Sequence, residues 1–254
     1  MSLRLIREMH GVLMEGVRGA TLTPGELRRS QNWIGPPGCT LDEAVFVPPP
    51  VDEMHGALGE LEGFLHAPSS LPPLVRIAMA HYQLEAIHPF LDGNGRIGRL
   101  LIALLLRTEG LLEQPLLYVS AFFDENRDEY YRRLLAVSQR GEWEEWVVFF
   151  LSAVEEKARD ASQRASALLD LRQDFRRSLE RARASALLLT LVDGLFESPV
   201  LTVPRAARRL GVTHRAATLN VRKLVDAGIL EALPGRERNR LFVCRRALET
   251  LEKG

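Results

Sequence analysis

Residues 95–106, GRIGRLLIALLL, limit more than any other stretch what this chain can fold into. In a helix through residues 96–109, leucine and isoleucine fall on nearly every face. A helix that is apolar nearly all round has to be covered, so it belongs at the centre of a domain with other helices packed about it. Gly110 stands where a left-handed cap ends such a helix. Directly before it comes HPFLDGNG, residues 88–95, which is polar and rich in glycine. A tight turn needs one glycine. Several glycines, an Asp, an Asn and two Arg set against the most apolar helix read as a place that holds an anion.

The rest of the chain carries a similar helical pattern. Apolar residues recur at helical spacing in residues 3–17, 51–65, 72–87, 127–140 and 144–169, with no internal repeat. Residues 18–50 differ. Glycines, prolines and Cys39 punctuate them, and Val45, Phe46 and Val47, before the prolines at 48–50, predict a short extended hairpin arm. Residues 154–184 shift to Ala, Arg, Glu and Gln, with a stripe through Ala158, Ala161, Ala165, Leu168, Phe175 and Leu179. This predicts a connecting helix or, alternatively, a helix pair that makes a homodimer. Segments 187–196, 203–210 and 213–227 predict three helices, followed by a hairpin of 230–233 with 241–244. That order matches a helix–turn–helix with a β-wing. The expected fold is mostly α: a helical domain with a small β-hairpin over residues 1–155, a helical connector over 156–185 and a winged-helix domain over 186–254.

The longest leucine-rich run is far shorter than the roughly 20 residues that span a bilayer. The N-terminus carries charges where a secretory segment is apolar. The two cysteines lie far apart with no metal spacing, so the expected setting is cytoplasmic, with no membrane partner. The net charge of zero hides an asymmetry: residues 200–254 hold 12 Lys and Arg against 5 Asp and Glu, while residues 1–199 carry the balancing acidic excess. A basic tail with this pattern predicts duplex DNA as a partner. Its contacts would come from Arg215, Arg222 and Lys223 on the recognition helix and Arg236, Arg238 and Arg240 in the wing. A winged module used for protein contact remains the alternative.

The anion-holding stretch has a chemistry of its own. A helix start exposes unsatisfied N–H groups and a partial positive charge. Gly93 and Gly95 let a phosphate approach the backbone closely. Arg96 and Arg99, three apart, share a helix face and can both reach phosphate oxygens. Asp92 adds the carboxylate through which Mg²⁺ is shared between a protein and a nucleotide. His88 is an imidazole suited to taking a proton from a hydroxyl. Reading His81, Glu85, His88 and Asp92 as a zinc site fails for want of an HExxH pattern or a closer third ligand.

These residues resemble the signature of the Fic (Fic/Doc) family, H-x-F-x-[DE]-G-N-G-R-x-x-R. Every defined position matches: His88, Phe90, Asp92, Gly93, Asn94, Gly95, Arg96 and Arg99. Residues 24–35, 46–50, 81–90, 126–134 and 141–151 also resemble segments that flank the motif in that family. The resemblance covers roughly residues 1–155 and implies a Fic helical domain whose β-hairpin is a flap. It further implies Mg²⁺-dependent transfer of AMP from ATP to a Ser, Thr or Tyr hydroxyl of a protein, self-modification included. On matching positions, His88 is the base and Asp92 the metal ligand. Gly93, Asn94 and Gly95 hold the phosphates, Ile97 and Gly98 extend that phosphate-binding turn, and Arg96 and Arg99 bind the β- and γ-phosphates. Val45, Phe46 and Val47 are the flap that pairs with the target's backbone. Asn126 lies near the adenosine or caps the following helix.

Gly95 separates the chain from kinase-like members, which carry Lys there. The family's inhibitory pattern, [ST]-x-x-x-E-[GN], is absent, so an uninhibited enzyme is expected. Two alternatives stand beside AMP transfer: transfer from another nucleotide such as UTP or CDP-choline, and a DNA-binding regulator whose Fic domain senses nucleotide.

Overall fold

The computed structural model describes residues 1–16, 23–114, 117–182, 184–234 and 240–252. They form two compact units, Met1–Ala158 and Arg159–Gly254. The described residues are mostly helical, with eleven α-helices and one three-stranded sheet. No helix among them is long and apolar enough to cross a membrane.

The first unit is built around the leucine-rich segment. Helix α1 (Leu3–Leu13) is capped by the Ser2 hydroxyl, which accepts from the Leu5 amide at 3.2 Å. Helix α2 (Val51–His66) carries Asp52 and Glu53 in its first turn, where the dipole favours acids. Helix α3 (Pro73–Ile87) starts on a proline, whose fixed φ suits a first helical position. Helix α4 (Asn94–Thr108) packs on α3 and α1. Its Ile97, Leu101, Ile102, Leu105 and Leu106 are at most 4% exposed, while Leu100 keeps 38% of its surface. The leucine-rich helix is therefore central, with one edge open.

Helix α5 (Val119–Glu125) escapes sequence reading because seven residues are too few to display a period. Helix α6 (Arg127–Arg140) ends at Gly141 in the left-handed conformation, φ +70°. Helix α7 (Trp143–Arg181) runs for 39 residues without interruption. No glycine or proline occurs within it, so nothing breaks it where the composition changes. Trp146 is fully buried, and its Nε1–H donates to the Ala78 carbonyl at 3.0 Å, tying α7 to α3. The extended arm is smaller than expected: Ile34 and Phe46 form a single antiparallel bridge, with a 3-10 turn at Leu41–Glu43 between them.

In the second unit, the later residues of α7 bury Leu171, Phe175 and Leu179 against helix α8 (Ala186–Leu195). Asp193 accepts from Arg172 at 2.7 Å and from Arg176 at 2.6 Å. Strand β1 (Val200–Thr202) leads into helix α9 (Val203–Leu210), capped by the Thr202 side chain. Gly211 turns the chain at φ +65°, and Thr213 caps helix α10 (His214–Asp226). Strands β2 (Glu231–Ala232) and β3 (Leu241–Val243) follow, and the sheet order is β1-β3-β2, antiparallel throughout. Strand β1, three residues long, and the final helix α11 (Arg245–Glu252) are additions to the sequence reading.

Replacing Trp146 by Ala leaves a large void and removes the bond to the Ala78 carbonyl. Urea unfolding of the variant is expected to show a loss of about 3–5 kcal/mol.

Candidate active site

Helix α3 ends at His88 in the left-handed conformation, φ +48°. Histidine tolerates this region better than most residues, but the conformation persists only where neighbours hold it. Two side chains do so here. Arg28 Nε donates to the His88 carbonyl at 3.0 Å, and Asn32 Nδ2 donates to the same oxygen at 3.2 Å. Arg28 is 1% exposed and also donates to the carbonyls of Ser30 and Pro49, so backbone oxygens surround its charge. The residues leading to the arm are thereby tied to the residue that ends α3.

The His88 ring is half-buried. Its Nδ1 lies 3.2 Å from the Glu85 carbonyl, which can only accept, so Nδ1 carries the proton and Nε2 remains a bare acceptor. Burial pulls the imidazole from 6.5 down to about 4, the Glu85 carbonyl opposes that shift, and the Arg28 charge adds to it. At neutral pH the ring is uncharged and able to accept a proton.

Between α3 and α4 the chain closes on itself through Asn94, which is 2% exposed. Its Oδ1 accepts from the Phe90 amide at 2.9 Å, and its Nδ2 donates to the Phe90 carbonyl at 2.7 Å. Both ends of this side chain are thus engaged within the loop, so any hold on a phosphate falls to its backbone. Gly93, the N-cap of α4, has φ +85° and supplies no capping side chain. A Cβ there would lie 2.7 Å from Met14 Sδ and 3.0 Å from His10 Nε2. An uncapped helix start is a ready anion site.

Asp92, half-buried, accepts from the Gly93 amide at 2.6 Å and pairs with Arg96 at 3.4 Å. Ile97 belongs to the core instead: it is fully buried, and its amide donates to the Gly93 carbonyl at 3.0 Å. Gly98 faces His81 and Glu85, and its carbonyl lies 3.1 Å from His81 Nδ1. Ile97 thus packs into the core, and Gly98 packs against His81 and Glu85.

His88, Asp92, Gly95 and Glu85 line a cleft of about 730 Å³. The arm contributes Trp33, Ile34, Val45 and Phe46, and α6 contributes Arg127, Tyr131 and Leu134. Val45 and Val47 are 56% and 47% exposed, so the arm offers backbone and apolar side chains to a partner. Asn126 occupies the N-cap position of α6, but its Nδ2 turns back to the Phe122 carbonyl at 3.0 Å. The cleft wall at this end is Arg127 and Tyr131.

His10 went unassigned in the sequence, yet it braces the loop. Its Nδ1 accepts from the Gly25 amide at 2.9 Å, which leaves Nε2–H to donate to the Asp92 carbonyl at 2.9 Å. Its ring stacks on Phe90, with centroids 3.7 Å apart. The signal was present: His10 lies four residues after Ile6, on the apolar stripe of α1.

In the second unit, Arg222 and Arg240 line one cleft of about 620 Å³ together with His214 and Thr218. Arg215 and Lys223 are exposed elsewhere on α10. Arg236 and Arg238 lie outside the described residues.

The Fic/DOC family sequence model matches residues 1–106. That match lies wholly within the N-terminal unit. Among curated relatives, the protein adenylyltransferase Fic of Culex quinquefasciatus is 32% identical over 133 residues, 52% of this chain and 23% of that protein. The protein of the same name from Drosophila erecta is 30% identical over 152 residues, 59% of this chain and 27% of its own length. The chain thus spans about a quarter of the length of these relatives. A crystal structure of a Fic family protein from Desulfovibrio desulfuricans G20 aligns with a TM-score of 0.57 at 23% identity. The alignment covers 95% of this chain and 68% of that one, a likeness of fold.

His81 gives the N-terminal unit an acid sensitivity. It is fully buried between the Gly98 carbonyl and the Tyr130 hydroxyl, and burial pulls its imidazole down to about 4. The unfolded chain protonates this group near 6.5, so folding stability is complete above that pH and falls as pH drops towards 4. The loss from His81 alone reaches about 3 kcal/mol. Proton NMR should find the His81 ring still neutral at pH 5.5 while unfolding free energy is already declining.

Proposed function

We propose that this chain is a protein adenylyltransferase, transferring AMP from ATP to a hydroxyl on a protein, itself included. The observation that carries this reading is the pairing, within one cleft, of a neutral His88 with a bare Nε2 and the uncapped start of α4. A base and an anion site facing the same space serve a hydroxyl attacking phosphorus. The relatives named adenylyltransferase point the same way.

In this reading the first-turn amides at Asn94 and Gly95, with Arg96 and Arg99, hold the triphosphate. His88 Nε2 takes the proton of the acceptor hydroxyl, whose oxygen bonds to the α-phosphorus as the bond to pyrophosphate breaks. Arg96 and Arg99 stabilise the charge that develops on pyrophosphate. Asp92 fits Mg²⁺, since a half-exposed carboxylate beside phosphate oxygens is the donor set this ion favours. The described residues contain no cluster of three or more His, Cys, Asp or Glu, so the nucleotide must complete the coordination. When bound, the ion would neutralise phosphate charge. Val45, Phe46 and Val47 present the acceptor segment to His88 by backbone pairing.

The test is incubation with Mg²⁺ and ATP labelled at either the α- or the γ-phosphate. Label from the α-phosphate is expected on the protein or on added acceptors, and His88→Ala should abolish transfer while ATP still binds. Transfer of the γ-label, or binding without any transfer by the unaltered chain, would overturn the reading.

We further propose that the second unit is a winged helix-turn-helix that binds duplex DNA. The favouring observation is that Arg222, Arg240 and His214 share one cleft flanked by α10 and β3. Affinity for duplex DNA should fall steeply with salt, the logarithmic slope counting the phosphates neutralised. Arg222→Glu should weaken binding, and a flat salt response would exclude the proposal.

A further inference from the structure

Glu85 is an acid that the reaction above leaves unused, and its placement is unusual. It lies one turn before His88 on α3 and lines the same cleft. Its Oε1 is inaccessible to solvent and has no hydrogen-bond partner. A side chain at Gly98 would run into that oxygen. A Cβ at Gly95 would lie 3.9 Å from it and 3.2 Å from Arg99 Nη1. The carboxyl therefore rests across Gly95 in the first turn of α4 and Gly98 in the next, with the Arg99 guanidinium beside it. This is the turn to which the proposed function assigns the phosphates. A protein seldom leaves a buried carboxyl oxygen unpartnered without a compensating use.

An ionised carboxylate in this position acts twice against a nucleotide. It repels phosphate oxygens directly, and it competes with them for Arg99. A neutral carboxyl does neither. We propose that Glu85 sets the nucleotide affinity of the cleft through its proton, ATP binding to the form in which Glu85 is a neutral acid. The inference rests on the proposed phosphate site and adds a residue that positions Arg99 for it.

The surroundings place this exchange near neutral pH. Burial pushes the carboxyl up to about 7, and Arg99 on α4 holds it back from going higher. The other titratable groups around it keep their protonation states there. His81 and His88 on α3 are both pulled down to about 4 and stay neutral. Tyr130 on α6 is raised well above 10, first by burial and then by Glu85 itself, and stays protonated. Asp92 and Arg127 are the other charged groups that line the cleft with it. Arriving phosphates add negative charge and raise the Glu85 carboxyl further. Binding therefore takes up a proton, and above pH 7 the affinity weakens by up to about tenfold per pH unit.

Isothermal titration of the full chain with Mg²⁺–ATP tests this between pH 7 and 9, in buffers of differing ionisation enthalpy. The unaltered protein should take up a fraction of a proton approaching one at the upper end, with Kd rising in step. Glu85→Gln should bind without proton uptake, with a Kd flat across the range and about thirtyfold tighter than the unaltered protein at pH 8.5. The change should appear in KM for ATP. Unaltered protein that binds ATP with no proton uptake would overturn the inference while leaving the phosphate site standing. That measurement needs no variant. Failure of both proteins to bind ATP at any pH would remove the phosphate site, and the inference with it.

Discussion

The two hydrogen bonds between the Asn94 amide and the Phe90 backbone hold the candidate site together. They close a five-residue loop, set Gly93 in its left-handed conformation and decide where α4 begins. Gly95, which α4 presents to the cleft, and Arg96 and Arg99 beyond it depend on that starting point, because all three are placed by their distance along the helix. Both bonds are buried, and losing the first leaves the Phe90 amide without a partner, a costly state in a dry interior, whereas the Phe90 carbonyl keeps its bond from Asn32.

The other carbonyls of the loop are gathered in the same direction. Phe90 offers its oxygen to Asn32 as well as Asn94, His88 offers its own to Arg28 and Asn32, and Asp92 offers its own to His10. With these acceptors held by the protein, the junction presents the uncapped amides at the start of α4. Selection for an anion here thus comes from where the carbonyls are bound as much as from the arginines. Burial supplies the second half of the chemistry by keeping the nearby imidazole neutral, so that one side of the cleft attracts negative charge while the other accepts protons.

Much of this was legible in the sequence because the groups are local. Eight defined positions within 12 residues lie on a single loop and turn, and such residues are brought together by the chain's own geometry. Helix positions followed from periodicity where the segments were long. They failed at Val119–Glu125 and Val200–Thr202, which are too short to display a period. The continuity of α7 accords with the overlap of the helical pattern over 144–169 and the connecting helix over 154–184, between which no helix-breaking residue intervenes.

The sequence by itself determined the kind of chemistry: a helix start with glycines, two arginines, an acid and a histidine at fixed spacing, whatever the remainder of the chain does. Only the tertiary structure decided how those groups are tuned. His10 lies 82 residues from Asp92 and Arg28 lies 60 from His88, and no pattern along the chain links such distant positions. The lowered imidazoles and the raised Glu85 carboxyl come from the removal of water by packing, a property of the folded interior rather than of any residue's identity.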